Sequence, residues 1–346
     1  MNKKSVAVIF GSMSSEHEIS CVSASNVINN INQDKYNVEK IGIDKSGICF
    51  FYNGDVKNIL ENKWMQDESH KSKIDDIMLT LKKFDVVFPV LHGKYGEDGT
   101  IQGIFEMSKV KYVGCKVLGS SISMDKTFSK EIARFNKIPI VPFIALSKSE
   151  FEKIRLDELK FNNLCNDIVS KLSLPVFIKP NREGSSYGVK KVTKIEELKD
   201  SIEFSLNFDN NILIEKYISE KKEVECAVIE NEGNVIASTP GEIVILKDVY
   251  DFDSKYNDKT SYTKIPAKIS DKTLKLIQEY SKVIFRSFRL NQLARVDFFV
   301  TKDENVYFNE VNTMPGFTDI SMYPKMLIHD GYSYQEIIDV LIKNAT

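Results

Sequence analysis

Arg295 and Asp297, followed by Glu310 and Asn312, have the residue types and spacing to hold a cation and steady an anion. Residues two apart on a strand point to one face. Arg295 and Asp297 therefore share a face, and so do Glu310 and Asn312. The intervening runs Phe298–Val300 and Val306–Tyr307 are strand-like and flank the polar turn Thr301–Asn305, which predicts a hairpin. Folding it sets Asp297 roughly opposite Glu310, so three oxygen ligands and a guanidinium converge. Carboxylate and amide oxygens suit Mg²⁺, which retains waters and takes other ligands from substrate phosphates. The same spacing also describes an ordinary hairpin with two solvated acids and a structural salt bridge.

A second chemical cluster lies upstream. Lys179 ends the apolar run Leu174–Ile178. A lysine at the end of a buried strand needs an anionic partner. The loop Asn181–Gly188 follows, with two glycines and two serines whose N–H and O–H groups suit phosphate oxygens. It lacks the spacing and the terminal Lys-Ser/Thr of a Walker A loop. The strand Ile212–Ile218 ends in Glu215, Lys216, Tyr217 and Ile218, an edge that suits a flat purine, and Glu223 just beyond is placed to accept from ribose hydroxyls. Read alone, these are a turn, a core strand and a surface acid.

The elements that must position these groups fall into three regions. Residues 1–122 alternate strands such as Val6–Phe10 and Val86–Val90 with helical patterns at Ser20–Ile31 and Gly99–Met107, predicting a small α/β layer with parallel strands. The stretch Gly114–Ser123 reads as a linker. Residues 123–218 carry a helix at Lys126–Asn136, a helical stretch near Asn163–Leu172, and the strands Val176–Lys179 and Ile212–Glu215. Residues 219–346 hold the strands Val224–Ile229 and Val235–Ala237, a long loop, the amphipathic helix Lys272–Phe288, the hairpin and a C-terminal helix. The segment Leu246–Tyr262 has no periodicity and is rich in Asp, Lys and Tyr, as a closing lid would be.

Composition narrows the function classes. The chain has 346 residues, 42% of them hydrophobic, with a net charge of −2 and a pI near 6.2. That balance gives no electrostatic footprint for nucleic acid or an anionic membrane. No apolar run is long enough to span a bilayer. The apolar run Val6–Phe10 stops at Gly11-Ser12 and reads as a first buried strand rather than a secretion signal. The five cysteines are scattered without CxxC pairs, which points to reduced thiols and a cytoplasmic protein. The four histidines show no zinc-ligand spacing.

The chain resembles the ATP-grasp carboxylate–amine ligases, and among them the D-alanine–D-alanine ligase family. The resemblance rests on GSMSSEHEIS (Gly11–Ser20), HGKYGEDGTIQG (His92–Gly103), MDK (Met124–Lys126), the Lys179–Gly188 stretch, YDFDSKY (Tyr250–Tyr256), Arg295/Asp297 and the run Asn309–Ser321 with NTMPGFT inside it. The resemblance implies an N-terminal α/β domain followed by a two-domain ATP-grasp fold. It further implies ATP, Mg²⁺ or Mn²⁺ as a pair of ions, D-alanine as substrate, peptidoglycan precursor synthesis and a homodimer. Carried over by position, Lys126 and Lys179 match lysines on the ATP phosphates. Glu215–Ile218 matches the adenine-binding strand, Glu223 the ribose acid, and Asp297, Glu310 and Asn312 the metal ligands. Glu16 matches the carboxylate that holds the first D-alanine's ammonium, with Ser185 and Tyr256 as its partners. Arg295 and the Gly316 backbone match the oxyanion site. Lys255 and Ser321 match groups near the second substrate's carboxylate and the transferred phosphoryl, and His92 a histidine lining the cleft.

Three departures stand out. Gly11-Ser12 replaces the family's usual Gly-Gly. Glu223 sits one residue further from the adenine strand than the pattern has it. Tyr187–Lys191 and the stretch around Val249–Tyr256 also resemble the D-alanine–D-serine ligases of vancomycin resistance. The position after Ser321 tends to be arginine in those ligases and apolar in the ordinary ones, so Met322 favours D-alanine as the second substrate. A remaining alternative is an ATP-grasp module that binds nucleotide without catalysis. It predicts gaps among the phosphate and metal residues, and none is found.

Overall fold

The structure is a computed structural model, and it describes residues 3–245 and 261–346. Lys255, Tyr256 and the lid expected at Leu246–Tyr262, except its last two residues, lie outside the described residues. Three sheets organise the rest, in an α/β arrangement.

The first sheet runs in the order Lys71–Lys73, Cys49–Tyr52, Tyr36–Ile43, Lys4–Gly11, Val86–Pro89. Lys4–Gly11 is parallel to both of its neighbours, and Val6–Phe10 is almost wholly buried, as a strand covered on both faces must be. The expectation of a parallel layer holds only for these pairs. The other two pairs, on the Lys71–Lys73 side, are antiparallel. The cause is local: Asp44 Oδ1 accepts from the Ser46 and Ile48 amides, which closes a tight turn and sends the chain straight back. The helix His17–Asn30 crosses between Lys4–Gly11 and its parallel neighbour Tyr36–Ile43. Residues 12–16 thus lie beyond the carboxyl end of a central strand, where open α/β sheets place ligands.

The second sheet, Phe143–Ser147, Asn211–Lys216, Val176–Pro180, Lys190–Val192, is antiparallel throughout. The third runs Ser261–Lys264, Gly241–Ile245, Lys222–Asn231, Leu293–Val300, Val306–Asn312, with Asn234–Ala237 also paired to Lys222–Asn231. The predicted hairpin is there, with Asp297 opposite Glu310 and Arg295 opposite Asn312. A register shift between Asp297 and Phe298 marks a bulge, a device that re-aims side chains beside sites. The amphipathic helix forms at Asp271–Ser287, capped by the Ser270 side chain on the Thr273 amide, and buries Ile277, Ile284 and Phe285 on this sheet.

Gly114–Ser123 is not merely a linker, because it contains the helix Val117–Met124. A Cβ on Gly119 would lie 2.9 Å from the Arg289 carbonyl oxygen, so this glycine serves close packing rather than freedom. The C-terminal part also holds two helices, Met322–His329 and Tyr334–Asn344, where one was expected. Both pack back on the first sheet. Met326, Leu327, Ile338 and Leu341 share a single core with Phe10, Val27, Trp64 and Phe88.

That shared core makes a prediction. Leu341→Ala should cost about 2–5 kcal/mol, as buried leucine truncations do. Trp64 is the only tryptophan and reports on the N-terminal sheet. Urea unfolding followed by its fluorescence should shift to lower denaturant. An unchanged transition would mean that the two ends do not unfold as one body.

Candidate active site

The hairpin delivers its charges to one spot. Arg295 donates from Nε and Nη2 to the two Asp297 oxygens, each at 2.8 Å, and Nε also lies 3.0 Å from Glu225 Oε2. Two acids beside it hold this half-buried guanidinium firmly in its charged form against the cost of burial. Asn312 Nδ2 donates to Asp297 Oδ2 at 2.9 Å. Glu310, opposite Asp297, faces Lys126 Nζ at 3.6 Å. Among the described residues no three His, Cys, Asp or Glu side chains group as a metal site. Two carboxylates and an amide are what the hairpin offers, a donor set that fits a hard, partly hydrated cation such as Mg²⁺ and does not fit zinc.

Two larger cavities meet at this hairpin, beside a small one of about 50 Å³ that reaches Asp297. One, of about 440 Å³, is bounded by Lys179, the Gly184–Tyr187 loop, Tyr217, Ile218, Glu223 and Phe299. Of the strand edge expected to face a purine, Tyr217 and Ile218 are on its wall. Glu215 is not: its buried carboxylate accepts from Lys179 Nζ at 2.6 Å and pairs with Lys130 Nζ at 2.7 Å. Lys216 is exposed. Glu215 and Lys216 end the strand Asn211–Lys216, whereas Tyr217 and Ile218 lie just beyond it, where the chain leaves the sheet beside the cavity. Burial alone would push the Glu215 carboxyl up, but the two ammonium groups pull it down to about 2. Glu223 pairs with Lys221 at 3.5 Å; Lys221 lies 3.3 Å from the Phe299 ring centre and is pushed down to about 8 by burial.

The other cavity, of about 540 Å³, takes in Glu16, His92, Arg295, Gly316, Ser321 and Met322. Ser185 Oγ donates to Glu16 Oε1, joining the glycine-serine loop to the N-terminal sheet. A Cβ on Gly93 would stand 2.4 Å from Glu16 Oε2, and one on Gly184 3.2 Å away, so the carboxylate is seated between two glycines. Ser185 and Ser186 both adopt left-handed φ, at 48° and 61°, a strained pair for residues with side chains. His92 is fully enclosed. Its Nδ1–H donates to the Met314 carbonyl at 2.9 Å, and its Nε2 accepts from Ser23 Oγ at 2.8 Å. Burial lowers its pKa, which keeps it neutral in that tautomer. On the far wall Ser321 Oγ accepts from the Thr318 amide at 3.0 Å, and a Cβ on Gly316 would reach 2.6 Å from it. Lys126, Glu183, Gly184, Ser185 and Glu310 line both cavities.

Three charged groups here were not singled out from the sequence. Glu225 extends the Glu223 strand by the same two-residue step that marked Arg295 and Asp297, so alternation carried its signal. Glu97 lies inside the HGKYGEDG motif. It accepts from the Gly93 and Met314 amides at 2.7 and 2.9 Å, and burial, with Glu16 nearby, raises it to about 8. Lys130 sits one turn beyond Lys126 on the helix Lys126–Phe135 and left no signal, being a lysine in an amphipathic pattern.

Residues 5–115 match the family described as D-ala D-ala ligase N-terminus, and residues 132–343 match D-ala D-ala ligase C-terminus. The chain is similar to the D-alanine–D-alanine ligase of Caldicellulosiruptor bescii, at 43% identity over 100% of this chain and 96% of that one. It is similar to the enzyme of the same name from Acetivibrio thermocellus, at 41% identity over 99% and 96%. Among solved structures it resembles the VanG D-Ala:D-Ser ligase of Enterococcus faecalis, with a TM-score of 0.85, 36% identity and 99% of both chains covered. The D-alanine–D-alanine ligase of Coxiella burnetii gives a TM-score of 0.85 at 30% identity, over 99% and 94%.

The buried Glu215 makes a prediction about acid stability. Its folded pKa is depressed from 4.5 to about 2, so its contribution is complete above about pH 4.5 and is lost as the pH falls to about 2. Glu215→Gln leaves the buried Lys130 and the half-buried Lys179 without their acid and should cost about 3–5 kcal/mol at neutral pH. Melting curves from pH 7 to pH 3 should show a shallower pH slope for the variant than for the wild type. Parallel slopes would refute the pairing.

Proposed function

Because the chain belongs to the D-alanine–D-alanine ligase family, we propose that it joins two D-alanines into D-alanyl-D-alanine, with ATP as the energy source, for peptidoglycan precursor synthesis. One observation carries the reading to this chain's own residues. The cavity around Glu16 and the cavity around Lys179 share a wall built of Lys126, Gly184, Ser185 and Glu310. An amino acid in the first is adjacent to a nucleotide in the second, and transfer of a phosphoryl group across that wall needs no large movement.

In the proposed reaction ATP phosphorylates the carboxylate of the first D-alanine. The amine of the second attacks the acyl phosphate, and phosphate leaves. Glu16 and Ser185 hold the first ammonium, with Tyr256 as a third partner. Lys126 and Lys179 neutralise phosphate charge, while Tyr217, Ile218 and Glu223 receive adenine and ribose, with the Glu215 and Lys216 backbone alongside. Asp297, Glu310 and Asn312 would hold Mg²⁺ or Mn²⁺, which supplies neutralisation of the transferring phosphoryl group. Arg295 and the Gly316 N–H steady the tetrahedral oxyanion, as preorganised donors in a dry site do. Ser321 and Lys255 serve the second substrate's carboxylate and the transferred phosphoryl group, and His92 lines the cleft. The segment Leu246–Tyr262, all but its last two residues outside the described residues, is the lid this reading assigns to keep water from the acyl phosphate. The further proposals of three domains, 1–122, 123–218 and 219–346, of a homodimer and of a cytoplasmic location rest on the family resemblance and on the three separate sheets.

A second reading, D-serine as the attacking amino acid, draws on the likeness to VanG. Met322 argues for D-alanine. It is buried on the wall of the Glu16 cavity and offers a thioether rather than a hydrogen-bond donor. Phosphate release with ATP, Mg²⁺ and a panel of D-amino acids and D-lactate, with products identified by mass, tests the function directly. No dipeptide from D-alanine would refute it.

Asp297→Asn should abolish turnover at saturating Mg²⁺ while the protein still folds, as read by kcat and thermal melting together. Most of the activity surviving would rule out Asp297 as a ligand. Burying D-serine's hydroxyl unpaired against Met322 costs on the order of 1–3 kcal/mol. That corresponds to a roughly ten- to hundredfold preference for D-alanine. Met322→Arg should narrow the gap. Competition at equal concentrations with both dipeptides quantified measures it, and D-alanyl-D-serine as the main wild-type product would reverse the substrate assignment.

A further inference from the structure

The helix Lys126–Phe135 carries two lysines four residues apart, a spacing that places both on one face. Lys126 reaches the wall between the cavities, donating to the Glu183 carbonyl at 2.6 Å. Lys130, one turn on, reaches neither cavity. Its side chain is 1% exposed, and its Nζ lies 2.7 Å from Glu215 Oε1. The other oxygen of that carboxylate accepts from Lys179 Nζ at 2.6 Å. Glu215 is itself only 2% exposed. Two ammonium groups therefore share one buried carboxylate, and the trio carries a net charge of +1. Only the Lys179 end opens onto a cavity, the one of about 440 Å³.

We propose that Lys130 is a positioning residue for nucleotide binding: it supplies the counter-charge that lets Glu215 release Lys179 to a phosphate. This rests on the nucleotide reading of that cavity. Lys179 already lines the cavity, and as its ammonium turns toward a phosphate oxygen its contact with Glu215 loosens. With Lys130 in place, Glu215 stays paired when that happens and no buried charge is left bare. Without Lys130, the same movement strands a desolvated carboxylate, a severe penalty in a protein interior. Lys179 is then held on Glu215, and the phosphates lose a partner. The excess positive charge of the trio is the charge that the phosphates neutralise. A lysine that only tied its helix to the sheet would affect stability and the yield of folded enzyme, without separating one substrate from another.

Lys130→Met in the full chain tests this. KM for ATP and the Kd for ADP with Mg²⁺ should each rise at least tenfold, while KM for the first D-alanine stays within twofold of wild type. The double variant Lys130→Met/Glu215→Gln keeps the net charge of +1 and leaves Lys179 unclaimed. Its Kd for ADP should return to within threefold of wild type. A folded Lys130→Met protein with an ATP KM within twofold of wild type would overturn the proposal. If that single variant does not fold, the double variant decides alone, and a tenfold or greater loss of ADP affinity in it is equally fatal. A wild type that binds neither ADP nor ATP would instead overturn the reading of the cavity.

Discussion

A charge taken out of water must be met by an opposite charge or by hydrogen bonds, and the centre of this protein is arranged around that requirement. Glu215 is buried between Lys130 and Lys179, Arg295 is held half-buried between Asp297 and Glu225, and Glu310 faces Lys126. None of these groups is paired only within its own element. Lys130 and Lys126 come from a helix, Glu215 and Lys179 from the second sheet, Arg295 and Glu310 from the third. The charges hold the elements in register, and the elements keep the charges out of bulk water. A site that handles phosphates needs such fixed charges, because electrostatic stabilisation works best where the groups do not have to reorganise.

Apolar packing sets the frame in which those pairs can form. The two last helices close onto the first sheet, so the ends of the chain share one core with Trp64 and Phe88 inside it. The loop that connects the hairpin to those helices carries Met314, Gly316 and Thr318, and passes directly over His92 and Ser23. His92 joins that loop to the N-terminal helix through both ring nitrogens, and Glu97 joins it to Gly93. The Glu16 cavity thus has a floor from the beginning of the chain and a wall from its end. Its remaining side, the glycine-serine loop, is attached through Ser185 to Glu16 itself.

Much of this was legible in the order of residues. The period-2 spacing of Arg295, Asp297, Glu310 and Asn312 around a polar turn announced the hairpin and its register, because a strand's geometry leaves no other way to share a face. The strands Val6–Phe10, Val176–Lys179 and Ile212–Glu215 and the helix near Lys272–Phe288 were marked by their own patterning. Motif likeness gave the family, since HGKYGEDGTIQG and NTMPGFT are specific strings. Local pattern failed where the deciding contact is distant. The helix Val117–Met124 looked like a linker because its Gly119 serves packing on Arg289, some 170 residues away. The layer was expected to be parallel, because the short turn at Asp44 that sends the chain back into an antiparallel pair carries no periodicity.

The chain by itself therefore determined many of the elements, the hairpin register and the chemical types available at the site, all properties of neighbours along the backbone. Tertiary structure alone decided which charges meet. The sequence pattern treats Glu215 as one residue of a nucleotide-facing strand, whereas the fold turns its carboxylate inward onto two lysines. It likewise leaves Lys130 as one more polar residue on an amphipathic helix, whereas the fold buries it. The physical reason is that pairing energy depends on distance and desolvation in three dimensions. Neither quantity exists until helix, loop and sheets have been packed together.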